Sequence, residues 1–290
     1  GKMHACGHDG HTAMLLGAAK YLAETRNFDG TAIMIFQPAE EGGGGGREMV
    51  NDGMMERFGI QEVYGMHNAP GLPVGKFATR PGPLLASADE IRIEVEGKGG
   101  HAAKPHLAVD TVLVAAQIIV AVQSIVSRNL DPLKNAVISI CRVEAGHASN
   151  VIPQTATLYG TVRTLEPEMR DLMEKRLKEV VEGTAAMMGA KATCHYSRDY
   201  PVTRNHAENA IFAADAAEAI VGADGVDRNA TPVMGGEDFS FMLEARPGAF
   251  IFIGQGNTAS VHHPAYDFND DIIPLGMSYW AKLVERRLEA

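Results

Sequence analysis

Little cysteine, no excess of positive charge and no long apolar run are the absences that first narrow the function of this chain. Its 290 residues include three cysteines, which form no disulfide framework and suit a reducing compartment, so we predict a cytoplasmic protein. The formal net charge of -10 argues against nucleic acid or an anionic membrane surface as a partner. Because no apolar run reaches the length of a transmembrane helix, roughly 18 residues or more, we expect no membrane span.

The residues that are present have the composition of an ordinary globular protein, with 46% hydrophobic and 21% charged residues. A length of 290 residues allows one large domain or two of ordinary size. The first residues, Gly1 to His4, lead directly into a cluster of histidines with no strand before it. Since a ligand-bearing loop in an α/β domain normally follows a strand, we expect that the chain lacks an N-terminal portion of its parent protein.

The pattern of the first segment predicts an α/β layer. Apolar spacing indicates a helix over Thr12–Thr25, and apolar runs indicate strands over Thr31–Phe36 and Glu62–Met66. Similar patterns of helix and strand return in the last part of the chain. We therefore assign residues 1–87 and 204–290 to one α/β domain, with its ligands at strand ends.

The order of elements changes in residues 88–203. Strand, helix, strand, strand, helix and strand follow one another there, which is the ferredoxin-like β-α-β-β-α-β unit. We predict an inserted lid or dimerisation domain. Its long helix, Val109–Ser127, is apolar on several sides and either packs on its sheet or forms a contact in a homodimer or homotetramer. Cys141 and Cys194 fall in apolar strand patterns, so we expect both to be core thiols.

An acidic pair, Glu40 and Glu41, follows the first predicted strand and precedes five glycines, Gly42 to Gly46. On extended backbone, successive side chains point to opposite sides. One carboxylate can therefore hold a metal ion while the other moves protons. The glycines allow the backbone to pass close to whatever is bound there.

A dense cluster of metal-ligand side chains precedes the acidic pair. Cys6 and His8 alternate across a glycine, and thiolate and imidazole are good ligands for Zn²⁺ and related ions, whereas carboxylates also suit Mn²⁺. A Cys-x-His pattern alone is a weak signal. His4 and His11, in the same cluster, can equally be residues of a helix end or of the surface.

Further histidines occupy predicted loop positions. His67 ends a predicted strand, and His262 and His263 stand in the loop after the last strand. Since several separate ligand-type sites at strand ends are hard to explain by coincidence, the pattern favours a metal-assisted hydrolase.

Four segments together resemble the M20 metallopeptidase family, and more narrowly its amidohydrolase branch of hippurate hydrolases, N-acyl-amino-acid hydrolases and auxin-conjugate hydrolases. These segments are Met3–His11, Gln37–Gly43, Gly65–His67 and His262–Asp270. The resemblance covers essentially the whole chain in order, and its motifs are highly specific. It implies a metal-binding catalytic α/β domain of the phosphorylase/hydrolase-like type that carries the inserted domain.

The resemblance also implies a site with two divalent metal ions, with Mn²⁺ or Zn²⁺ expected first and Ni²⁺ or Co²⁺ left open. The implied ligands are Cys6, which bridges both ions, His8 and His67 on one ion, and Glu41 and His262 on the other. Glu40 is implied to be the general base. We therefore expect replacement of Glu40 to stop turnover with metal still bound, and replacement of Glu41 to lose metal.

Residues of the inserted domain are implied to contact the substrate. His101 would stabilise the tetrahedral oxyanion, commonly across a dimer interface. Asn150 and Arg163 resemble contacts to a substrate carboxylate or carbonyl, although Arg163 can also simply cap a strand edge. The acids of the loop Gly235–Phe239 are expected to order His262 or to cap the following helix.

The sequence thus predicts an enzyme that cleaves the amide bond of a small N-acyl amino acid, with neither nucleic acid nor membrane as a partner. Two alternatives stay open. One is a dipeptidase or aminoacylase of the same fold, and the other is a non-catalytic, metal-holding dimerisation fragment.

Overall fold

The computed structural model describes residues 2–289, which divide into two compact units. The first unit comprises the described residues up to Leu84, together with Thr203–Pro232 and those from Asp238 onward. The second unit comprises Leu85–Val202 and the short piece Val233–Glu237. The bounds of the inserted domain that the sequence predicted lie close to those of the long piece, but the short piece was not predicted.

Eight α-helices and twelve strands lie in the part of the chain that the structure describes. The helices are α1 His8–Thr25, α2 Gly45–Asn51, α3 Met54–Arg57, α4 Thr111–Arg128, α5 Pro167–Met187, α6 Ala207–Val221, α7 Ser240–Ala245 and α8 Ile273–Arg287. The strands are β1 Val63–Pro70, β2 Phe77–Ala78, β3 Gly82–Leu85, β4 Ala88–Glu96, β5 Gly100–His101, β6 Ala136–Ala145, β7 Val151–Ile152, β8 Thr155–Thr164, β9 Lys191–Tyr200, β10 Thr203–Asn205, β11 Val226–Asp227 and β12 Gly248–Gly256. The predicted α/β class is confirmed.

The first unit contains a four-stranded sheet of order β1-β12-β2-β11. β12 is almost continuously buried, as expected of an apolar strand covered on both faces. It pairs in parallel with β1, and Phe252 of β12 lies opposite His67 of β1. Because parallel strands end at the same edge of a sheet, the loops that leave β1 and β12 start at one edge, and His67 lies three residues before the end of β1.

Two glycines let α1 pack closely against α8 in the first unit. A Cβ atom on Gly17 would lie 2.5 Å from the Met277 methyl group, and one on Gly276 would lie 2.0 Å from the Met14 sulfur. Met14 is fully buried in the core of this unit. The packing fixes α1 on the sheet, and the first residue of α1 is His8.

The predicted strand Thr31–Phe36 is wrong. The described part of the chain has no strand at these residues, and the sheets include no partner for them. A strand is defined by a ladder of backbone hydrogen bonds to a neighbour, and apolar composition alone does not supply that neighbour. Glu40 and Glu41 consequently stand in a turn, just after Ala39 in the left-handed region at φ +55°.

The second unit has the predicted β-α-β-β-α-β order. Its four-stranded sheet has the order β6-β8-β4-β9, and each neighbouring pair is antiparallel. Alternation along β4 is regular, with Ile91, Ile93 and Val95 buried and the charged residues between them exposed. These side chains join residues of α4 and α5 in one core.

The helix α4 is, by length and composition, apolar enough to cross a membrane, with a mean hydropathy of 1.7. A core helix of a soluble protein passes the same test. Ile118 and Val122 of α4 are fully buried in the core of the second unit, which accounts for much of this composition. On its other side, however, Leu113 and Val120 are 51% and 69% exposed.

Of the two strand cysteines that were expected to be core thiols, only Cys194 is buried in the core. Cys194 is 5% exposed and belongs to the core of the second unit, where burial raises the pKa of its thiol to about 11. Cys141 is exposed. It falls on β6, an outer strand of the sheet, where the pairing with β8 shifts register between Ile140 and Arg142. A bulge of this kind leaves the extra residue out of the pairing and bends the strand, so the alternation of the sequence no longer tells which face that residue occupies.

Candidate metal centre

Metal-ligand side chains from four segments of the first unit converge. We call Cys6, His8 and His67 the inner ligand set, and Cys6, Glu41 and His262 the outer ligand set. Within each set, one ligand atom of every residue lies within 4.8 Å of the others. Cys6 belongs to both sets, so its sulfur can serve two ions.

The inner ligand set comes from Cys6 just before α1, from the first residue of α1 and from β1. Cys6 is 9% exposed, and its sulfur lies 3.4 Å from Nε2 of His67. Nδ1 of His67 donates a hydrogen bond to the Asn68 carbonyl oxygen at 2.7 Å. Because a carbonyl oxygen can only accept, this bond places the proton on Nδ1 and leaves the Nε2 lone pair directed at the site.

The histidines of the inner ligand set favour the neutral form. Burial lowers the pKa of His67 to about 4, and it also lowers the pKa of His8. A metal ligand must offer a lone pair, so both imidazoles can bind a cation at neutral pH without first losing a proton.

The outer ligand set is more open. Nε2 of His262 lies 3.0 Å from a carboxylate oxygen of Glu41, and the two side chains are 59% and 50% exposed. The His262 backbone is nevertheless fixed, since its N–H donates to the Ala5 carbonyl at 2.6 Å and its φ is +64°. The left-handed conformation is costly for a residue with a side chain, and such strain is typical of functional sites.

Glu40 lies beside the inner ligand set. One of its carboxylate oxygens is 3.7 Å from Nε2 of His8, and its side chain is only 18% exposed. Burial raises the pKa of Glu40 to about 7, and the negative charges of Glu41 and Asp238 add to the effect. A carboxyl group whose pKa is near neutral is suited to accepting and returning a proton.

The glycine run makes close approaches that no larger residue could. A Cβ atom on Gly45 would lie 1.8 Å from the Pro38 carbonyl oxygen, and one on Gly46 would lie 2.7 Å from that of Asp238. Gly46 N–H also donates to the Asp238 carboxylate at 2.8 Å, and Gln37 donates to the same side chain. Asp238 thus accepts a hydrogen bond from the first turn of α2, and the role predicted for the acids of this loop, to order His262 or to cap the following helix, stays a prediction.

Two site residues were missed by the sequence analysis. His11, expected at a helix end or on the surface, has its ring 4.4 Å from that of His67, measured between centroids. Asn68 is 2% exposed, its side-chain oxygen lies 2.8 Å from Nε2 of His11, and its backbone N–H donates to the same nitrogen at 3.0 Å. Sequence spacing could have indicated both residues. His11 lies three residues after His8 on the same helix face, and Asn68 directly follows His67.

The three residues predicted to contact substrate lie in the second unit. His101 is exposed on β5, which pairs with β7, and the N–H of Ala102 donates to the Asn150 carbonyl at 3.0 Å. His101 and Asn150 are therefore neighbours. Arg163 lies on β8 against Gly236. Contact of these residues with a substrate stays a prediction.

The donor set fits a pair of borderline divalent cations. Thiolate, imidazole and carboxylate are the ligands that Zn²⁺ and related ions take in proteins, and the atoms of each set are close enough to share one ion. The fixed tautomer of His67 and the neutral state of His8 meet the other requirement, which is a free lone pair.

Comparison with known proteins identifies the family. A model described as peptidase family M20/M25/M40 matches residues 1–286. The chain belongs to this family. It is 42% identical over 287 residues to the hippurate hydrolase of Campylobacter jejuni, covering 99% of this chain and 75% of that protein. It is also 42% identical over 290 residues to the N-acetylcysteine deacetylase of Bacillus subtilis, covering 100% of this chain and 75% of the relative.

A solved structure from Bacillus subtilis, described as a dinuclear metal-binding peptidase of the M20 family, has the same fold. Its TM-score is 0.83 at 37% sequence identity, over 99% of this chain and 74% of that chain. Family membership and these relatives confirm that this chain is a metal-dependent hydrolase of amide bonds.

Proposed function

We propose that this M20 hydrolase cleaves the amide bond of N-acyl amino acids with two divalent metal ions and with Glu40 as general base. The observation that carries the proposal is the pair of ligand sets that share Cys6, with Glu40 directly beside them. Two relatives support the substrate class, since hippurate and N-acetylcysteine are both amino acids with an acylated nitrogen.

The ligand assignment follows the two sets. Cys6 would bridge the ions, His8 and His67 would complete the inner set, and Glu41 and His262 the outer set. Bound divalent ions would supply Lewis acidity toward the amide carbonyl and lower the pKa of a water molecule. Mn²⁺ or Zn²⁺ is the expected pair of ions.

Glu40 supplies the proton chemistry. Its carboxylate lies close to the ligand sets, so it can take the proton of the attacking water and pass it to the nitrogen of the leaving amino acid. Glu41 has a different part because its carboxylate is paired with His262 at 3.0 Å. In this proposal Glu40 transfers protons and Glu41 binds metal.

Three side chains of the second unit complete the proposed reaction. His101 would donate a hydrogen bond to the developing oxyanion, and Asn150 and Arg163 would hold the substrate's carboxylate or carbonyl. Arg163 suits a carboxylate because its guanidinium can form two parallel hydrogen bonds. An exposed His101 fits the expectation that it acts in the site of a second copy of the chain.

Hydrolysis assays test the proposal. The metal-free protein would be reloaded with Mn²⁺ or Zn²⁺ and offered N-acetyl and N-benzoyl amino acids, with unblocked dipeptides as the competing class. Glu40→Gln should lower turnover by about 10²–10⁴-fold with the metal content unchanged, whereas Glu41→Gln should lose metal. Preference for unblocked dipeptides would indicate that the protein is a dipeptidase, and bound metal without turnover would favour a non-catalytic role.

Self-association through the second unit is part of the proposal. The exposed side of α4 carries Leu113 and Val120, and β6 is an outer strand of its sheet. An apolar helix face beside an unpaired strand edge suits contact with a second copy of the chain. Leu113→Glu and Val120→Glu should shift sedimentation toward the monomer, whereas the control Met187→Glu, at a side chain 77% exposed on α5, should not.

A further inference from the structure

A buried amide lies directly behind the two ligand sets. Asn68 is 2% exposed, and its Nδ2 donates to Oε1 of Gln255 at 2.6 Å and to the hydroxyl of Tyr266 at 2.9 Å. The Tyr266 hydroxyl in turn donates to Gln255 at 3.2 Å. Gln255 is fully buried and Tyr266 is 5% exposed. We call these three residues the polar brace.

The polar brace touches the segments that carry the inner ligand set. The backbone carbonyl of Asn68 accepts from Nδ1 of His67, and the Asn68 side-chain oxygen lies 2.8 Å from Nε2 of His11. Gly7, between Cys6 and His8, rests directly on the brace. A Cβ atom there would lie 2.5 Å from the Tyr266 hydroxyl and 2.6 Å from the Asn68 oxygen.

The polar brace also closes the loop that carries His262. Nε2 of Gln255 donates to the Thr258 hydroxyl at 2.9 Å and to the Asp267 carbonyl at 2.8 Å, at the two ends of this loop. One connected set of hydrogen bonds therefore reaches both ligand sets. A fully satisfied buried network of this kind rigidifies the groups attached to it.

We infer that Asn68, Gln255 and Tyr266 are positioning residues that set the geometry of the metal centre. The inference rests on the proposed metal site, and it assigns no contact between the polar brace and the substrate. Partners behind metal ligands orient the ligands, and their removal typically lowers metal affinity. The polar brace differs from the common case because one amide serves several ligand segments at once.

Matched variants test the inference. Tyr266→Phe removes one hydroxyl of the brace, and Tyr64→Phe removes a hydroxyl that bonds to Glu62 and Asn209 elsewhere in the first unit. Asn68→Leu removes the central amide. Its control, Asn205→Leu, removes another buried amide, 3% exposed, with four hydrogen bonds of 2.7 to 3.1 Å.

Each variant would be stripped of metal and titrated with Co²⁺, with binding followed by visible absorption. Tyr266→Phe should bind Co²⁺ about 10-fold more weakly and Asn68→Leu up to about 100-fold more weakly, with altered absorption bands. The controls should keep wild-type affinity and spectrum, although their metal-free forms lose comparable thermal stability. A merely structural brace would not produce this difference.

Wild-type affinity and spectrum in Tyr266→Phe would overturn the inference, and this variant decides the matter if Asn68→Leu does not fold. Hydrolysis of N-acyl amino acids by the wild-type protein is measured separately. If wild type binds Co²⁺ and turns over while Tyr266→Phe binds as well as Tyr64→Phe does, only the brace is rejected. If wild type binds no Co²⁺, the metal site and the brace are both rejected.

Discussion

The inner and outer ligand sets share Cys6 but differ in how firmly the protein holds their other members. His67 of the inner set is fixed by a hydrogen bond to a neighbouring carbonyl and by the ring of His11. In the outer set, the side chains of Glu41 and His262 are half exposed or more, and they pair with each other. The backbone of His262 is fixed, but its imidazole lies in the open.

The difference indicates that the inner set is preorganised and that the outer set depends more on its ion. Rigid ligands lose little conformational freedom when a cation binds, whereas exposed side chains must be ordered at that moment. An open outer set also leaves room for a substrate to approach. Three predictions probe this contrast, beginning with the ligand that both sets share.

Cys6→Ala should have the largest effect, because it removes the only side chain common to both sets. We expect both ions to be lost and hydrolysis to fall to the uncatalysed background. Elemental analysis after dialysis and an assay on N-acyl amino acids would measure the two losses. Retention of one full equivalent of metal would show that the sets bind independently and that Cys6 is not shared.

His67→Ala and His262→Ala compare the two sets directly. Both should weaken metal binding, but only His67→Ala should destabilise the metal-free protein, by about 2 kcal/mol, since it leaves the Asn68 carbonyl unpaired and empties packed space. His262→Ala should change stability by less than about 0.5 kcal/mol because its side chain is 59% exposed. Denaturant unfolding after chelation measures both, and equal losses would remove the contrast.

Local patterns predicted much of the fold. Apolar spacing predicted a helix over Thr12–Thr25, which lies within α1, and an apolar run predicted a strand over Glu62–Met66, which overlaps β1. The strand expected at Thr31–Phe36 failed because sequence shows apolar side chains but no hydrogen-bonding partner. Cys141 was misplaced for a similar reason, since a shift of register belongs to a pair of strands and cannot be seen in one of them.

In the site, too, the sequence showed local chemistry but not contacts between distant residues. Residues whose chemistry is visible, such as Cys6 and Glu41, could be named from the sequence. Asn68 and Tyr266 could not be named from the sequence. They are 198 residues apart in the chain, and only the fold shows that the amide of one bonds to the hydroxyl of the other. Gly7 is the one local hint, since a glycine between two ligands indicates that something packs against its backbone.

Glu40→Gln should also have a small effect on the metal-free protein that is less intuitive, a gain in its stability. The pKa of Glu40 in the fold, about 7, lies above its ordinary value of 4.5. The folded state therefore binds this proton more tightly than the unfolded state, so the contribution of Glu40 is favourable at low pH and is lost as pH rises from about 4.5 to about 7.

At pH 8, an ionised Glu40 stays partly buried beside Glu41 and Asp238. A neutral glutamine removes that repulsion, so we expect Glu40→Gln to raise the free energy of unfolding by on the order of 1 kcal/mol at pH 8 and to change it little near pH 4. Chemical unfolding of the chelated proteins at the two pH values measures the gain. The exposed Glu41, substituted in the same way, should give less, and an equal gain from Glu41→Gln would mean that burial does not distinguish the two acids.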